Sequence, residues 1–309
     1  MVHRRLLYYY KDMNYAHLLE NLKQTFIYQD NYFFDKHTPE LLHDGKFLGD
    51  YFNQLAIEPL GDKPPRFYHT FSPFDVISNK APNHAVVFEA GKLLLNIEFD
   101  SYVSIRTAAM SVLVLQGLGV DSLADKNVLL FGSGKIAADA VKIMASELGL
   151  TDIHVISRSG NLSSISAATA GTGVNIISGN ANDIAQYDVI ICHTQASEPI
   201  ISVEQLADIK QGAFLASFIS STEHGEFPDE VYDGAKANII TDWEQSLIGG
   251  AKDLKRTFDA NAFNMKDITY IKDLLNGKKL DGTKQYTVYR STGTPIQNMA
   301  ILKELLSQE

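Results

Sequence analysis

Cysteine is almost absent from this 309-residue chain, in which Cys192 is the only one. That excludes a disulfide framework and a cysteine-built zinc site, and the setting YDVIICHT implies a buried strand thiol, not a nucleophile. Long apolar runs are missing as well. None approaches the roughly 18 residues that span a bilayer, and the N-terminal LLYYY stops at Lys11 and Asp12, short of the roughly 7–15 residue core of a signal peptide. Positive charge is in deficit, with 27 Lys and Arg against 37 Asp and Glu and a net charge of −10. Nucleic acid and anionic membranes want a basic surface, so neither is expected as a partner; a small molecule and a cytoplasmic location are. The histidines never fall into H-x-x-x-H or H-E-x-x-H, so no zinc helix is legible and no metal is expected. A G-x-S-x-G elbow is missing too, as are solenoid-length repeats and low-complexity tracts.

What is present divides into two textures. With 45% hydrophobic residues the chain can bury a sizeable core, and its length suggests two lobes. Residues 1 to about 100 are rich in Tyr and Phe, carry Pro39, Pro59, Pro64, Pro65, Pro73 and Pro82, and contain strand-like runs such as RFYHTF, AVVFEA and KLLLNIEF. This half reads as α+β. From Ser104 a helix (SIRTAAMSVLVLQGLG) leads to a strand at 127–131, a helix at 135–148, and strands at 153–157, 174–177, 188–192, 213–218 and 238–241. Such alternation of buried apolar strands with helices predicts an α/β Rossmann-type, doubly wound parallel sheet. SGNLSSISAATAGTGVN reads as a loop or a mobile helix beside the second strand.

The first strand and helix of that series read NVLLFGSGKIAAD, and GSGKIA fits the G-x-G-x-x-A form of the dinucleotide fingerprint. Gly132 allows the tight turn, Gly134 lets backbone approach a pyrophosphate, and Ala137 keeps the helix close to the sheet. Gly132, Ser133, Gly134, Lys135 and Ile136 would then cradle phosphates at a helix N-terminus, where N–H groups and the dipole favour anions. The tip of the next strand, IHVISRSG, offers Ser157, Arg158 and Ser159 where an NAD-specific site would place a carboxylate. A guanidinium and two hydroxyls suit a 2′-phosphate, so NADP(H) is favoured and NAD(H) stays possible.

SIRTAAMSVL ahead of the fingerprint, GSGKIAADAVKIM, DVIICHTQASEPII, QGAFLASFISSTEHGEF, NIITDWEQ and YTVYRSTGTPIQNMAILKEL together resemble the ornithine cyclodeaminase and mu-crystallin family. The likeness covers most of 88–309 and extends to ketimine reductases and to the siderophore-pathway dehydrogenase that forms diaminopropionate. It implies a substrate-binding and dimerisation domain (1–105 plus 291–309), an NAD(P)-binding domain (106–290) and a homodimer. It further implies that Arg106 grips a substrate carboxylate, that Thr107 meets a cofactor phosphate, and that Thr194 and Ser291 lie in the cofactor site. Where cyclodeaminases carry an aspartate this chain has Ser220, as mu-crystallin has serine, which points to imine or amine redox chemistry. His69 stands in for the family's substrate-side lysine, with Lys63 or Lys80 as alternatives. Asp242 would orient a loop or accept a substrate amine, and Glu223, Glu226 and Asp229 read as a solvated acidic loop.

The implied activity is NAD(P)H-dependent reduction of an imine or ketimine, or oxidation of an amino acid, at a C=N or C–N bond. The alternatives are an NAD-using ornithine cyclodeaminase and a non-catalytic NADPH-dependent binding protein.

Overall fold

The computed structural model describes residues 13–37, 40–43, 46–50, 53–71, 83–218, 224–249 and 251–308. Ser220, Lys80 and Glu223 lie outside the described residues. In chain order the first elements are α1 (Tyr15–Ile27), β1 (Phe33–His37), β2 (Glu40–His43), β3 (Lys46–Asp50), β4 (Asn53–Leu60), β5 (Lys63–Phe71), β6 (His84–Glu89) and β7 (Lys92–Glu98). Next come α2 (Asp100–Gly117), β8 (Val128–Phe131), α3 (Lys135–Leu148), β9 (Asp152–Ile156), α4 (Ser163–Ala168), β10 (Asn175–Ser178), β11 (Val189–Cys192), α5 (Val203–Ala207) and β12 (Ala213–Ser217). The chain continues through β13 (Ala237–Thr241), α6 (Ser246–Gly249), α7 (Lys252–Asp259), β14 (Ile268–Tyr270), α8 (Ile271–Leu275), β15 (Tyr286–Arg290) and α9 (Pro295–Ser307). Two compact units result, one running to Arg106 and resuming at Thr294, the other spanning Thr107–Gly293. α2 is apolar around its whole circumference and buried accordingly from Ser104 to Leu115.

In the first unit an antiparallel sheet has the order β1-β4-β5-β6-β7. Side chains alternate between faces along a strand. On β5, Tyr68 and Thr70 are buried, while Phe67, His69 and Phe71 share the opposite, more open face. α9 covers the buried face: the Asn298 amide donates to Gln54 Oε1 (2.7 Å) and Thr70 Oγ1 (2.9 Å), and Lys303 Nζ donates to Glu58 Oε1 (2.6 Å). α1, capped by Asn14 at its N-terminus, joins α9 through Asn21 and Glu304. The open face carries a cross-strand row, Phe33–Ile57–Phe67–Phe88–Leu93, each residue the register partner of the next. Phe33, Phe67, Phe88 and Leu93 of that row are all exposed.

The second unit holds a fully parallel sheet, order β10-β9-β8-β11-β12-β15-β13-β14. β8, β11 and β12 are buried at every position, and Cys192 is a buried strand thiol, as their apolar sequences imply. From β8 the chain winds outward to β9 and β10, then returns to the other side with β11. The switch point where nucleotides bind in such sheets therefore falls between β8 and β11. Two sequence expectations need correction: β9 ends at Ile156, so Ser157 belongs to the turn after it, and the sheet has two further strands, β14 and β15. Of the two readings of the small-residue segment, loop or helix, α4 realises the helix for Ser163–Ala168.

Candidate functional site

The turn between β8 and α3 is built on two glycines with different tasks. Gly132 has φ +109°, a backbone conformation that L side chains rarely adopt, and a Cβ there would collide with the carbonyl oxygen of His193. Its N–H donates to Ile156 O at 2.9 Å, tying the turn to the end of β9. Gly134 is the N-cap of α3, has no side-chain capping bond, and would direct a Cβ into open space. α3 thus begins, at Lys135 and Ile136, beneath open space, and the N-terminus of a helix favours an anion there. A close-packed turn followed by an uncapped 14-residue helix under open space fits a diphosphate.

At the tip of β9 the hydroxyls organise the turn: Ser157 Oγ donates to Asn161 O (3.1 Å) and lies 3.2 Å from Ser159 Oγ, while Gly160 N–H donates to Ser157 O (3.0 Å). Arg158 is exposed, and among the described residues no carboxylate pairs with it. Ser157, Arg158 and Ser159 stand beside Gly132 because β8 and β9 are adjacent, Phe131 opposite Ile156.

Across the switch point the ends of β11 and β12 are joined by Glu226. Its Oε1 accepts the Thr194 N–H (2.8 Å) and hydroxyl (2.6 Å); its Oε2 accepts the Ser217 hydroxyl (3.0 Å) and the Phe218 N–H (2.9 Å). The residue is fully buried, which pushes its pKa up even though the four bonds pull it down. This corrects the solvated-loop reading of Glu226. Asp229 of the same run also has a partner, the Arg256 fork at 2.6 and 2.7 Å. A carboxylate between Gly225 and Phe227 gives no sign in sequence of four donors converging on it, so Glu226 was missed.

From Phe218 an aromatic row continues along the same sheet edge. Its ring lies 4.5 Å from that of His193 and meets Tyr289 edge-on at 5.6 Å. Tyr289 donates to Asp242 Oδ1 (2.5 Å), and Asp242 Oδ2 accepts Thr292 N–H (2.7 Å), Thr292 Oγ1 (3.2 Å) and Ser291 Oγ (3.2 Å). Asp242 is fully buried and committed to orienting the loop after β15. Ser291 and Thr194 thus sit at strand ends, with hydroxyls bonded to Asp242 and Glu226.

In the first unit, Arg106 is buried and its Nη1 donates to Gln297 Oε1 at 2.5 Å. Gln297 is an amide, so this bond orients the guanidinium without adding negative charge. Thr107, the next residue, is buried and begins the second unit. The His69 ring lies tilted against Phe71, centroids 4.9 Å apart, and its pKa is lowered by burial. It occupies the sheet face opposite the one covered by α9, the helix that carries Gln297. Lys63 is exposed at the start of β5. Among the described residues no group of three His, Cys, Asp or Glu is arranged to hold a metal, and no helix is long and apolar enough to cross a membrane.

A family model described as shikimate/quinate 5-dehydrogenase matches residues 115–218, the span from the end of α2 through β12. Solved structures similar over nearly the whole chain include a probable ornithine cyclodeaminase from Bordetella pertussis Tohama I, at 20% identity and TM-score 0.74, covering 97% of this chain and 95% of the other. Iminosuccinate reductase of Paracoccus denitrificans in complex with NAD+ aligns at 16% identity and TM-score 0.77, covering 96% and 92%. The Δ1-pyrroline-2-carboxylate reductase of Thermococcus litoralis, in complex with NADH and L-proline, aligns at 14% and 0.75, covering 96% and 93%. No curated protein sequence matches the chain. The chain adopts the fold of the ornithine cyclodeaminase and mu-crystallin family, in agreement with the resemblance of its sequence.

Proposed function

We propose that this protein is an NAD(P)H-dependent oxidoreductase acting on the C=N or C–N bond of an amino or imino acid. The observation that carries the reading is the glycine turn opening onto the uncapped α3 at the switch point between β8 and β11. A bound nicotinamide would supply or accept the hydride. The protein's own residues then have separable tasks. Backbone N–H groups from Gly132 to Ile136 hold the diphosphate, with Thr107, Thr194 and Ser291 as further cofactor contacts. Ser157, Arg158 and Ser159 hold the 2′-phosphate that makes NADPH the preferred form. Arg106, aimed by Gln297, grips the substrate carboxylate through a bidentate fork and so fixes the imino acid in one pose. His69, with a pKa depressed by burial, is neutral at pH 7 and contributes a hydrogen bond rather than a charge.

Imine chemistry is favoured over cyclodeamination because Ser220 offers no carboxylate where cyclodeaminases use one, and because structures of like fold include two reductases of imino acids. The test pairs cofactor titration with a screen of cyclic ketimines and of α-keto acids with amines. Wild-type protein binds NADPH more tightly than NADH, and Arg158→Ala lowers NADPH affinity about 10-fold or more while sparing NADH, the scale of a lost charge-assisted contact. Arg106→Lys raises the KM for an imino acid about 10-fold or more, since an ammonium cannot reproduce the fork. Failure to bind either coenzyme sinks the reading; ammonia release from ornithine without lasting change in nicotinamide absorbance moves it to the cyclodeaminase alternative.

The homodimer has a surface suited to it. The Phe33–Ile57–Phe67–Phe88–Leu93 row is a contiguous apolar band, exposed except at the half-buried Ile57, of the kind that marks protein contacts. We expect light scattering to report a dimer and Phe67→Lys to shift it toward monomer; a wild-type monomer would dismiss the assignment.

A further inference from the structure

His193 follows β11 directly, and its backbone forms one wall of the glycine turn. Its N–H donates to Phe131 O at 2.8 Å, and its carbonyl oxygen fills the space that a Gly132 side chain would need. The imidazole lies on the Phe218 ring at 4.5 Å and a tilt of 40°. Among the described residues neither Nδ1 nor Nε2 has a hydrogen-bond partner, and both are shut off from solvent. Two such orphaned nitrogens at the mouth of a ligand site demand an explanation, because burying unsatisfied polar groups is costly.

The chemistry of the ring narrows what would satisfy it. Burial drives its pKa down to about 3, so the imidazole is neutral and presents one donor and one acceptor. Phosphate would want a cation and is served by the N-terminus of α3. A hydroxyl, which both gives and takes a hydrogen bond, matches a neutral imidazole. Topology then selects which hydroxyl. β9, with Ser157 and Arg158 in the turn that follows it, flanks β8 on one side and serves the adenosine end; β11 flanks it on the other.

We propose that His193 is a cofactor-binding residue that hydrogen-bonds a ribose hydroxyl in the nicotinamide half of the dinucleotide. The inference rests on the nucleotide site proposed above and adds a contact that the glycine fingerprint does not contain. The residue as a whole is only half-buried although its nitrogens are covered, so the proposed bond requires the side chain to turn on the Phe218 ring as the coenzyme binds. Phe218 is a firm platform for that rotation, its N–H being held by Glu226.

Two measurements on the full-length protein test this. In protein carrying 15N-labelled histidine, the His193 ring nitrogens shift on saturation with NADPH and stay in place with 2′,5′-ADP, which lacks the nicotinamide half. His193→Phe, which keeps the ring stack and removes both nitrogens, weakens NADPH binding by about 5- to 50-fold, the range of a lost hydrogen bond at a buried site, and leaves 2′,5′-ADP affinity unchanged. Unmoved ring signals in saturated wild-type protein overturn the proposal, as does equal weakening of both ligands in the variant. If wild-type protein binds neither ligand, the nucleotide site itself is wrong. Should the variant fail to fold, the labelled wild-type protein decides alone.

Discussion

Replacing Asp253 with alanine is expected to cost about 3–5 kcal/mol of folding stability, the largest thermodynamic effect of any single change considered, because it strips a buried guanidinium of its carboxylate. Arg290 is 1% exposed and Asp253 no more so. The fork is bidentate: Nε donates to Oδ2 at 2.9 Å and Nη2 to Oδ1 at 3.0 Å, while Nη1 donates to Ser291 O at 2.7 Å. Tyr232 donates to the same carboxylate at 2.8 Å. Burial alone would raise the Asp253 pKa, but the Arg290 charge and these hydrogen bonds outweigh it and hold the value below the ordinary range. A carboxyl depressed in the folded state binds its proton more readily when unfolded. Its stabilisation is therefore complete above the unfolded pKa, about 4, and fades as pH falls through the lower folded value. Urea unfolding of wild type and Asp253→Ala at pH 7 and again below pH 4 should show the gap narrowing in acid. A loss under about 1 kcal/mol at neutral pH would refute the account.

The second large effect separates two glycines that a motif treats alike. Gly132→Ala should be destabilising by about 3 kcal/mol or more and abolish coenzyme binding. A positive φ costs an L residue about 1–2 kcal/mol, and the new methyl meets the His193 carbonyl, so the end of β11 or the turn must move. Gly134→Ala should leave stability nearly intact, since its φ of −80° suits alanine and nothing stands within 4 Å of the new methyl. That methyl instead projects into the room assigned to the diphosphate, so coenzyme affinity should fall while the melting temperature holds. Calorimetry and coenzyme titration on both variants distinguish the roles. Equal stability losses would mean that the open space over Gly134 has been misread.

The parts of this architecture legible in sequence are those where one physical signal dominates. VLLF and VIIC are short, wholly apolar runs next to turn residues, and they could only be strands buried on both faces. GSGKIA announced its turn through glycine alone. The antiparallel sheet was harder, because Phe67, Phe88 and Leu93 put large apolar side chains on its open face and blur the alternation that marks a half-buried strand. Glu226 and Asp242 illustrate a different limit. Each lies in a polar stretch of sequence, yet each is fully buried and collects hydrogen bonds from donors between 8 and 50 residues away along the chain. No local pattern encodes such convergence. His193 was similarly silent, as its significance depends on the strand beside it and on what its ring fails to touch.

The position of β15 between β12 and β13 has a bearing on how the protein is made. As the polypeptide leaves the ribosome, β12 and β13 emerge well before Tyr286–Arg290, and each waits with a bare backbone edge that its eventual neighbour alone can cover. Unclaimed edges of this kind invite pairing with foreign strands. Biosynthesis of the sheet therefore ends with a wedge driven into its middle, and a stalled or nicked nascent chain lacking that wedge should be a substrate for chaperones or proteases.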